Sequence, residues 1–197
     1  MKTVITISRQ YGSQGHSIAE RVAARLNYPL VWRDLINQAA LRAGAPEAAL
    51  AAIDELGLLG FCPSPEACLA YRQAVGQVMI ELADKGEVVI VGRAGQVILA
   101  GHPNVLHVRI IASTEKRVER VSHKLNIQLE AAKAQITTSD RFRRNYLKRF
   151  YQVDWNDPYL YDLVINTDQV SEAQASEIIV ATATTTVVDD TTHVKRR

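Results

Sequence analysis

Residues 3–26 read TVITISRQYGSQGHSIAERVAARL and join a β-branched apolar run to a helical pattern through a short loop. The run at residues 3–8 is typical of a buried strand, and Ile18, Val22 and Leu26 fall on one face of the helix that follows. Glycines in such a loop let backbone N–H groups approach oxyanions, and the helix N-terminus adds about half a positive charge. The stretch therefore predicts a strand–loop–helix unit that can cradle phosphate.

The loop RQYGSQGHS lacks the lysine of the phosphate-binding pattern G-x-x-x-x-G-K-[ST]. Arg9 is our candidate for the missing positive charge on the donor phosphates, and Ser17 or Ser13 is suited to reach a Mg²⁺-bound water. The other interpretation is a βα turn in which Gly12 and Gly15 only permit close packing. The residues of the loop leave both interpretations open.

The rest of the chain alternates apolar runs with helical patterns. The runs predict strands at residues 87–91, 105–111 and 163–165. The helical patterns lie at residues 34–43, 66–85, 114–125, 129–151 and 171–183. Strands separated by helices, without two-residue hairpin signals, indicate an α/β fold with a parallel sheet. The Ala-, Gly- and Pro-rich residues 46–65 predict a short helix and a flexible connection.

The length of 197 residues and the mass of 21.8 kDa fit one compact domain. Apolar residues make up 47% and charged residues 22% of the chain, which argues against global disorder. No apolar run reaches about 18 residues, so we expect no membrane span. The chain lacks a signal-peptide pattern, and Cys62 and Cys68 do not suggest a zinc site. We therefore expect a reduced, cytoplasmic protein.

Positive charge is concentrated in one segment although the net charge is only +2. Residues 109–149 carry eleven of the 23 Lys and Arg residues, against only four acidic residues. A solvated helix face usually mixes the two signs more evenly, so the segment suggests an anionic ligand.

Four motifs together resemble the cytidylate kinase-like family of P-loop nucleotide kinases. They are ITISRQYGSQGHSIA at residues 5–19, VVIVGRAG at 88–95, DRFRRNY at 140–146 and YDLVINTD at 161–168. They occur in the family's order and cover most of residues 3–180. The resemblance implies a three-layer P-loop kinase-like fold, in which helices flank a central parallel sheet. It implies one nucleotide-kinase-like domain at residues 1–183 with a helical lid at about 126–156. The Thr-rich, polar composition of residues 184–197 predicts a flexible tail.

The resemblance also implies an ATP-dependent phosphotransferase, with Mg²⁺, that acts on a nucleoside monophosphate such as CMP or dCMP. By position in the family's motifs, the donor phosphates would be held by Gly12, Ser13, Gln14, Gly15, His16 and Ser17. Ser17 would also serve the metal. Arg93 and Asp34 would bind the phosphate acceptor. Arg141 and Arg143 would be lid arginines that close over the transferred group, with Asp140 orienting them and Arg9 completing the catalytic set.

Arg141 and Arg143 lie two residues apart, so on a regular helix their side chains point about 200° from each other. They can reach one phosphate together only if the segment bends or closes as a cap. Ser139 and Asp140 are N-cap candidates for a new helix at this point. The sequence therefore predicts a mobile lid junction at residues 137–144 whose closure excludes water.

Two other classes of function compete with the kinase. The missing lysine favours a nucleotide-binding regulatory module that kept the fold and lost turnover. The basic segment suggests a nucleic-acid-binding domain, but that segment has no RNP-like aromatic pattern and the remaining chain is not basic. We therefore expect small-molecule nucleotide partners, no stable nucleic-acid partner and no membrane. The sequence leaves open a different phosphate acceptor, and also whether the chain forms a homodimer.

Overall fold

A computed structural model of the chain describes residues 1–42, 44 and 64–185. The predicted short helix and connection at residues 46–65 lie almost wholly outside these residues. The predicted tail lies outside them beyond Thr185.

The described residues form one parallel sheet. Its strands are β1 (Val4–Arg9), β2 (Leu30–Val31), β3 (Val88–Val91), β4 (Val105–Ile111) and β5 (Leu163–Asn166). Their spatial order is β2-β3-β1-β4-β5, and every neighbouring pair is parallel. Because all strands run the same way, the loops that follow them converge at one edge of the sheet, where open α/β sheets place their ligands.

Helices cover both faces of the sheet. They are α1 (Gly15–Leu26), α2 (Arg33–Arg42), α3 (Pro65–Lys85), α4 (Gly95–Ile98), α5 (Thr114–Leu125), α6 (Leu129–Tyr151) and α7 (Glu172–Thr184). A 3-10 turn at Pro158–Leu160 precedes β5. No helix in the described part of the chain is long and apolar enough to cross a membrane.

Alternate residues of the strands feed two separate cores, as the period of two requires. Ile5 and Ile7 of β1 face α1 and α7, where Ile18 and Ile179 are buried. Val4 faces the other way, towards α2, α3 and the end of α6. The three-layer architecture predicted from the motifs is confirmed.

The four predicted strands are confirmed, and β2 is an addition. A strand of two residues is too short to show an alternating hydrophobic pattern in the sequence. Strand β2 is recognisable only because Leu30 pairs with Val89 and Val31 pairs with Ile90.

The predicted start of a new helix at Ser139 and Asp140 is wrong. Helix α6 runs without a break through both residues, which are buried in its middle with 4% and 6% exposure. The Asp140 carboxylate binds partners on other elements instead of capping a helix end.

Candidate functional site

A cleft of about 1330 Å³ lies beside the loop that follows β1, and we call it the loop cleft. The loop, the first turn of α1, helix α5, α6 and the chain after β5 all contribute to its wall. Its lining residues are Arg9, Gln10, Tyr11, Gly12, Gln14, Gly15, His16, Ser17, Glu20, Trp32, Lys116, Glu119, Arg120, Val121, His123, Lys124, Leu125, Arg143, Asp168 and Glu172. Arg9, Gln10 and Trp32 come from strand ends or just beyond them, so the cleft lies at the edge of the sheet where the loops after the strands converge.

The two loop glycines are required by packing against protein atoms. A Cβ on Gly12 would lie 2.9 Å from Val121 Cγ2, and Gly12 also adopts a φ of 81°. A Cβ on Gly15 would lie 2.5 Å from Arg9 Cβ. The packing interpretation therefore accounts for both glycines, while the loop that they form still lines the cleft.

Backbone N–H groups at the start of α1 open into the loop cleft. The first N–H groups of a helix have no acceptor within the helix. The N–H groups of Gly15, His16 and Ser17 have no hydrogen-bond acceptor within the described part of the chain. The next N–H group, that of Ile18, donates to Gln14 O at 3.1 Å. Three N–H groups at a helix N-terminus fit an anion such as phosphate.

The polar side chains of the loop differ in what they can bind. Ser13 is fully buried and its Oγ donates to Gln10 O at 2.9 Å and Ile110 O at 3.2 Å, so this hydroxyl holds the loop to β4. Gln14 Nε2 donates to Glu172 Oε1 at 2.6 Å. Ser17 Oγ donates to Gln14 O at 3.1 Å, which leaves its lone pairs able to face a metal ion.

His16 occupies the position that follows the last loop glycine, and its side chain is exposed. Its ring stacks on Trp32, with 4.0 Å between the ring centroids, and His16 Nε2 lies 3.3 Å from Glu20 Oε1. The loop cleft thus has an aromatic wall at the end of β2.

Asp140 of α6 contacts the loop after β1, and its shortest side-chain contact is with Arg117 of α5 and not with a lid arginine. Its Oδ2 accepts from Arg117 Nη1 at 2.6 Å, and its Oδ1 accepts from the Tyr11 N–H at 3.3 Å. Asp140 Oδ1 also lies 3.8 Å from Arg143 Nη1. Arg117 was not among the predicted site residues, because no spacing rule links it to a residue 23 positions away on another helix.

The two predicted lid arginines diverge. Arg143 lines the loop cleft, is 11% exposed and donates to Ser139 Oγ at 2.7 Å. Arg141 is exposed and stacks against Phe142, with 5.8 Å from its guanidinium carbon to the ring centroid. Because α6 is regular, only Arg143 of this pair reaches the loop cleft within the described residues.

Arg93 lies apart from the loop cleft, in a turn after β3. Its side chain is 1% exposed and its guanidinium carbon lies 5.9 Å from the centroid of the Tyr71 ring. Burial raises the pKa of Tyr146 well above its usual value and raises that of Tyr151, whereas the Arg93 charge acts to lower both. Asp34 lies in α2, and its side chain is outside what the structure describes.

Sequence reasoning missed a buried polar cluster around Arg109 of β4. Arg109 Nη1 donates to Tyr161 Oη at 3.0 Å and Nη2 donates to Asn156 Oδ1 at 2.9 Å. The guanidinium carbon lies 4.1 Å from the Trp155 ring centroid. The available signal was a lone arginine in the otherwise apolar second half of β4, VRII.

Comparison with known proteins links these features to one family. The sequence profile of the cytidylate kinase-like family matches residues 4–169. The chain is 30% identical over 182 residues to a cytidylate kinase from Pyrococcus horikoshii, covering 91% of this chain and 88% of that protein. It is 34% identical over 111 residues to part of a uronate isomerase from Corynebacterium glutamicum, covering 56% of this chain. The matched part is only 21% of that isomerase's length.

Solved structures share the architecture at low sequence identity. An uncharacterized protein from Eubacterium ventriosum superposes with a TM-score of 0.74 at 21% identity, covering 92% of this chain and 98% of that one. A gluconokinase from Sinorhizobium meliloti superposes with a TM-score of 0.56 at 16% identity, covering 92% and 91%. These likenesses concern the fold, which is that of P-loop kinases. On the profile match and the motif order together, the chain belongs to the cytidylate kinase-like family.

Proposed function

We propose that this protein is a nucleoside monophosphate kinase that transfers the γ-phosphoryl group of ATP to CMP, dCMP or a related phosphate acceptor. The observation that carries the proposal is the loop cleft, where helix N-terminal N–H groups meet arginines from β1 and α6. Membership of the cytidylate kinase-like family supports the nucleotide acceptor.

At the donor end, the N–H groups of Gly15, His16 and Ser17 would bind phosphate oxygens. Arg9 supplies positive charge beside the loop in place of the missing lysine. Bound Mg-ATP would supply the phosphoryl group and neutralise its developing charge. Mg²⁺ would be held by phosphate oxygens, water and the Ser17 hydroxyl.

At the acceptor end, Arg93 and Asp34 would bind the phosphate acceptor. Arginine suits this task because its planar fork binds phosphate oxygens in pairs and stays charged. Arg93 is 1% exposed and lies near the Tyr71 ring of α3, so acceptor binding would require its surroundings to open.

We assign the lid to residues 126–156, with α6 as its main element. Arg143 would approach the transferred group when the lid closes, and closure would exclude water from the loop cleft. Asp140 would orient Arg143 from 3.8 Å while it fastens the loop through Tyr11.

A coupled ADP-release assay tests the proposal. Mg-ATP is offered with CMP, dCMP, UMP, AMP and GMP, and with gluconate as a non-nucleotide acceptor. The proposal expects turnover with CMP, dCMP or UMP. ATP binding seen by calorimetry without turnover on any acceptor would favour a nucleotide-binding regulatory module. Turnover on gluconate alone would show that the acceptor is not a nucleotide and would overturn the proposal.

A further inference from the structure

Three successive residues after β3 adopt left-handed backbone conformations. Their φ angles are 83° at Gly92, 53° at Arg93 and 59° at Ala94. Glycine adopts this region freely, whereas arginine and alanine do so at a cost in free energy. A turn of this kind persists only where the surrounding structure enforces it, so its neighbours determine where Arg93 faces.

Two aromatic residues from the chain after α6 lie against the turn and the first turn of α4. Ala94 is 5% exposed and packs in one apolar cluster with Trp155. Gln96 Nε2 donates to Tyr161 Oη at 3.4 Å. Trp155 is itself anchored to β1, since its Nε1 donates to Ser8 Oγ at 2.9 Å.

Arg109 holds these two aromatic residues together. Its guanidinium carbon lies 4.1 Å from the Trp155 ring centroid and 5.3 Å from that of Tyr161, and its Nη1 donates to Tyr161 Oη at 3.0 Å. Arg109 is 4% exposed, and its hydrogen-bond acceptors in the described part of the chain are neutral. Burial lowers the pKa of its guanidinium, although Tyr161, Asp140 and Asp154 act to raise it, so this position costs free energy.

We infer that Arg109 is a positioning residue for Arg93. It presses Trp155 and Tyr161 against the strained turn and thereby fixes the direction of the Arg93 side chain. Arg109 touches no substrate in this scheme and acts through the two aromatic residues. The inference rests on the proposed role of Arg93 in acceptor binding, and it predicts that loss of Arg109 affects the acceptor and not ATP.

Arg109→Met keeps the length and packing of the side chain and removes its charge and hydrogen bonds. We expect the KM and the calorimetric Kd for CMP to rise about tenfold or more, because misplaced binding groups lose much of their effect. The KM for ATP should stay within about twofold of the wild-type value. His107→Gln is the matched control, because His107 lies on the same strand and face but contacts Thr6 instead of the aromatic pair. It should leave both constants unchanged.

Arg93→Met and the Arg93→Met/Arg109→Met double variant complete a cycle. The Arg109 change should weaken CMP binding in the wild-type background and have no further effect once Arg93 is gone. The same factor in both backgrounds, or an equal loss for ATP and CMP, would overturn the inference. If Arg109→Met does not fold, Tyr161→Phe gives a second test, because it removes only the hydroxyl that accepts from Arg109 and Gln96 and that donates to Trp155 O and Ser8 Oγ.

Amide hydrogen exchange separates this inference from the proposed function. Peptides that span residues 92–98 should exchange faster in Arg109→Met than in wild type or His107→Gln, whatever the acceptor is. Wild-type protein without turnover would refute the proposed function alone. Unchanged exchange at residues 92–98 in Arg109→Met would overturn the positioning role.

Discussion

Arg117 and Asp140 form a buried ion pair between α5 and α6, with 2.6 Å between Arg117 Nη1 and Asp140 Oδ2. The same two side chains hold both backbone polar groups of Tyr11. Asp140 Oδ1 accepts from the Tyr11 N–H at 3.3 Å, and Arg117 Nη1 donates to Tyr11 O at 3.3 Å. The loop after β1 is thereby fastened to the helix that carries Arg143.

Asp140→Asn should lower the free energy of unfolding by about 3 kcal/mol, because it leaves the Arg117 charge buried without a counter-charge. Urea unfolding measures the change. Glu119→Gln is the matched control: the Lys116–Glu119 pair, at 3.4 Å, is exposed, and its loss should change stability by less than about 0.5 kcal/mol. Equal effects of the two substitutions would contradict a structural role for the buried pair.

Arg143→Ala should lower kcat by roughly two orders of magnitude or more, since it removes the guanidinium charge that would stabilise the negatively charged phosphoryl group during transfer. Arg141→Ala, two residues away on the exposed side of α6, should lower kcat no more than a few-fold. Steady-state kinetics at saturating ATP and CMP compare the two variants. A similar loss in both would show that the orientation of α6 does not select Arg143.

Gly15→Ala should destabilise the protein by about 1–3 kcal/mol and weaken ATP binding, because the new Cβ would lie 2.5 Å from Arg9 Cβ. Thermal unfolding and calorimetry report the two effects. Gly76→Ala serves as the comparison, since a Cβ there meets nothing within 4 Å in helix α3. Gly76→Ala should instead raise stability by about 0.5–1 kcal/mol. A decrease in the stability of Gly76→Ala would count against the packing account.

His107 should make stability depend on pH. Burial lowers its pKa below the usual 6.5, although Asp162 acts to raise it. The unfolded chain therefore takes up a proton at this residue at higher pH than the folded chain does. The corresponding stability is present above about pH 6.5 and is lost as pH falls through the folded-state pKa. The unfolding free energy of wild type should fall more steeply from about pH 7.5 to about pH 5 than that of His107→Gln; parallel curves would refute the assignment.

Local sequence patterns predicted most of the fold and less of the site. The bounds of α5 and α6 coincide with the predicted 114–125 and 129–151, because long amphipathic periods are strong signals. Strand β2 escaped notice because its pairing with β3, and not its two residues, defines it. The strand–loop–helix unit at the start of the chain was predicted, and its loop lines the loop cleft.

Contacts between distant residues were beyond such patterns. The bond between Asp140 and Arg117 depends on how α5 packs against α6. The strained turn at Arg93 depends on Trp155 and Tyr161, which are more than sixty residues away. The loop glycines show the same limit. The sequence left open whether they serve phosphate binding or close packing, and only the structure shows that Gly12 packs against Val121 and Gly15 against Arg9.

The transfer of label from ATP tests the central claim most directly. Wild-type protein is incubated with Mg²⁺, ATP labelled in its γ-phosphate and CMP, with Arg143→Ala in parallel, and the nucleotides are separated. The account predicts labelled CDP in stoichiometric balance with ADP for wild type, and a rate lower by roughly two orders of magnitude for Arg143→Ala. The same incubation is repeated with dCMP and with UMP. Label that stays in ATP with all three acceptors, or that appears only in inorganic phosphate, would contradict the account.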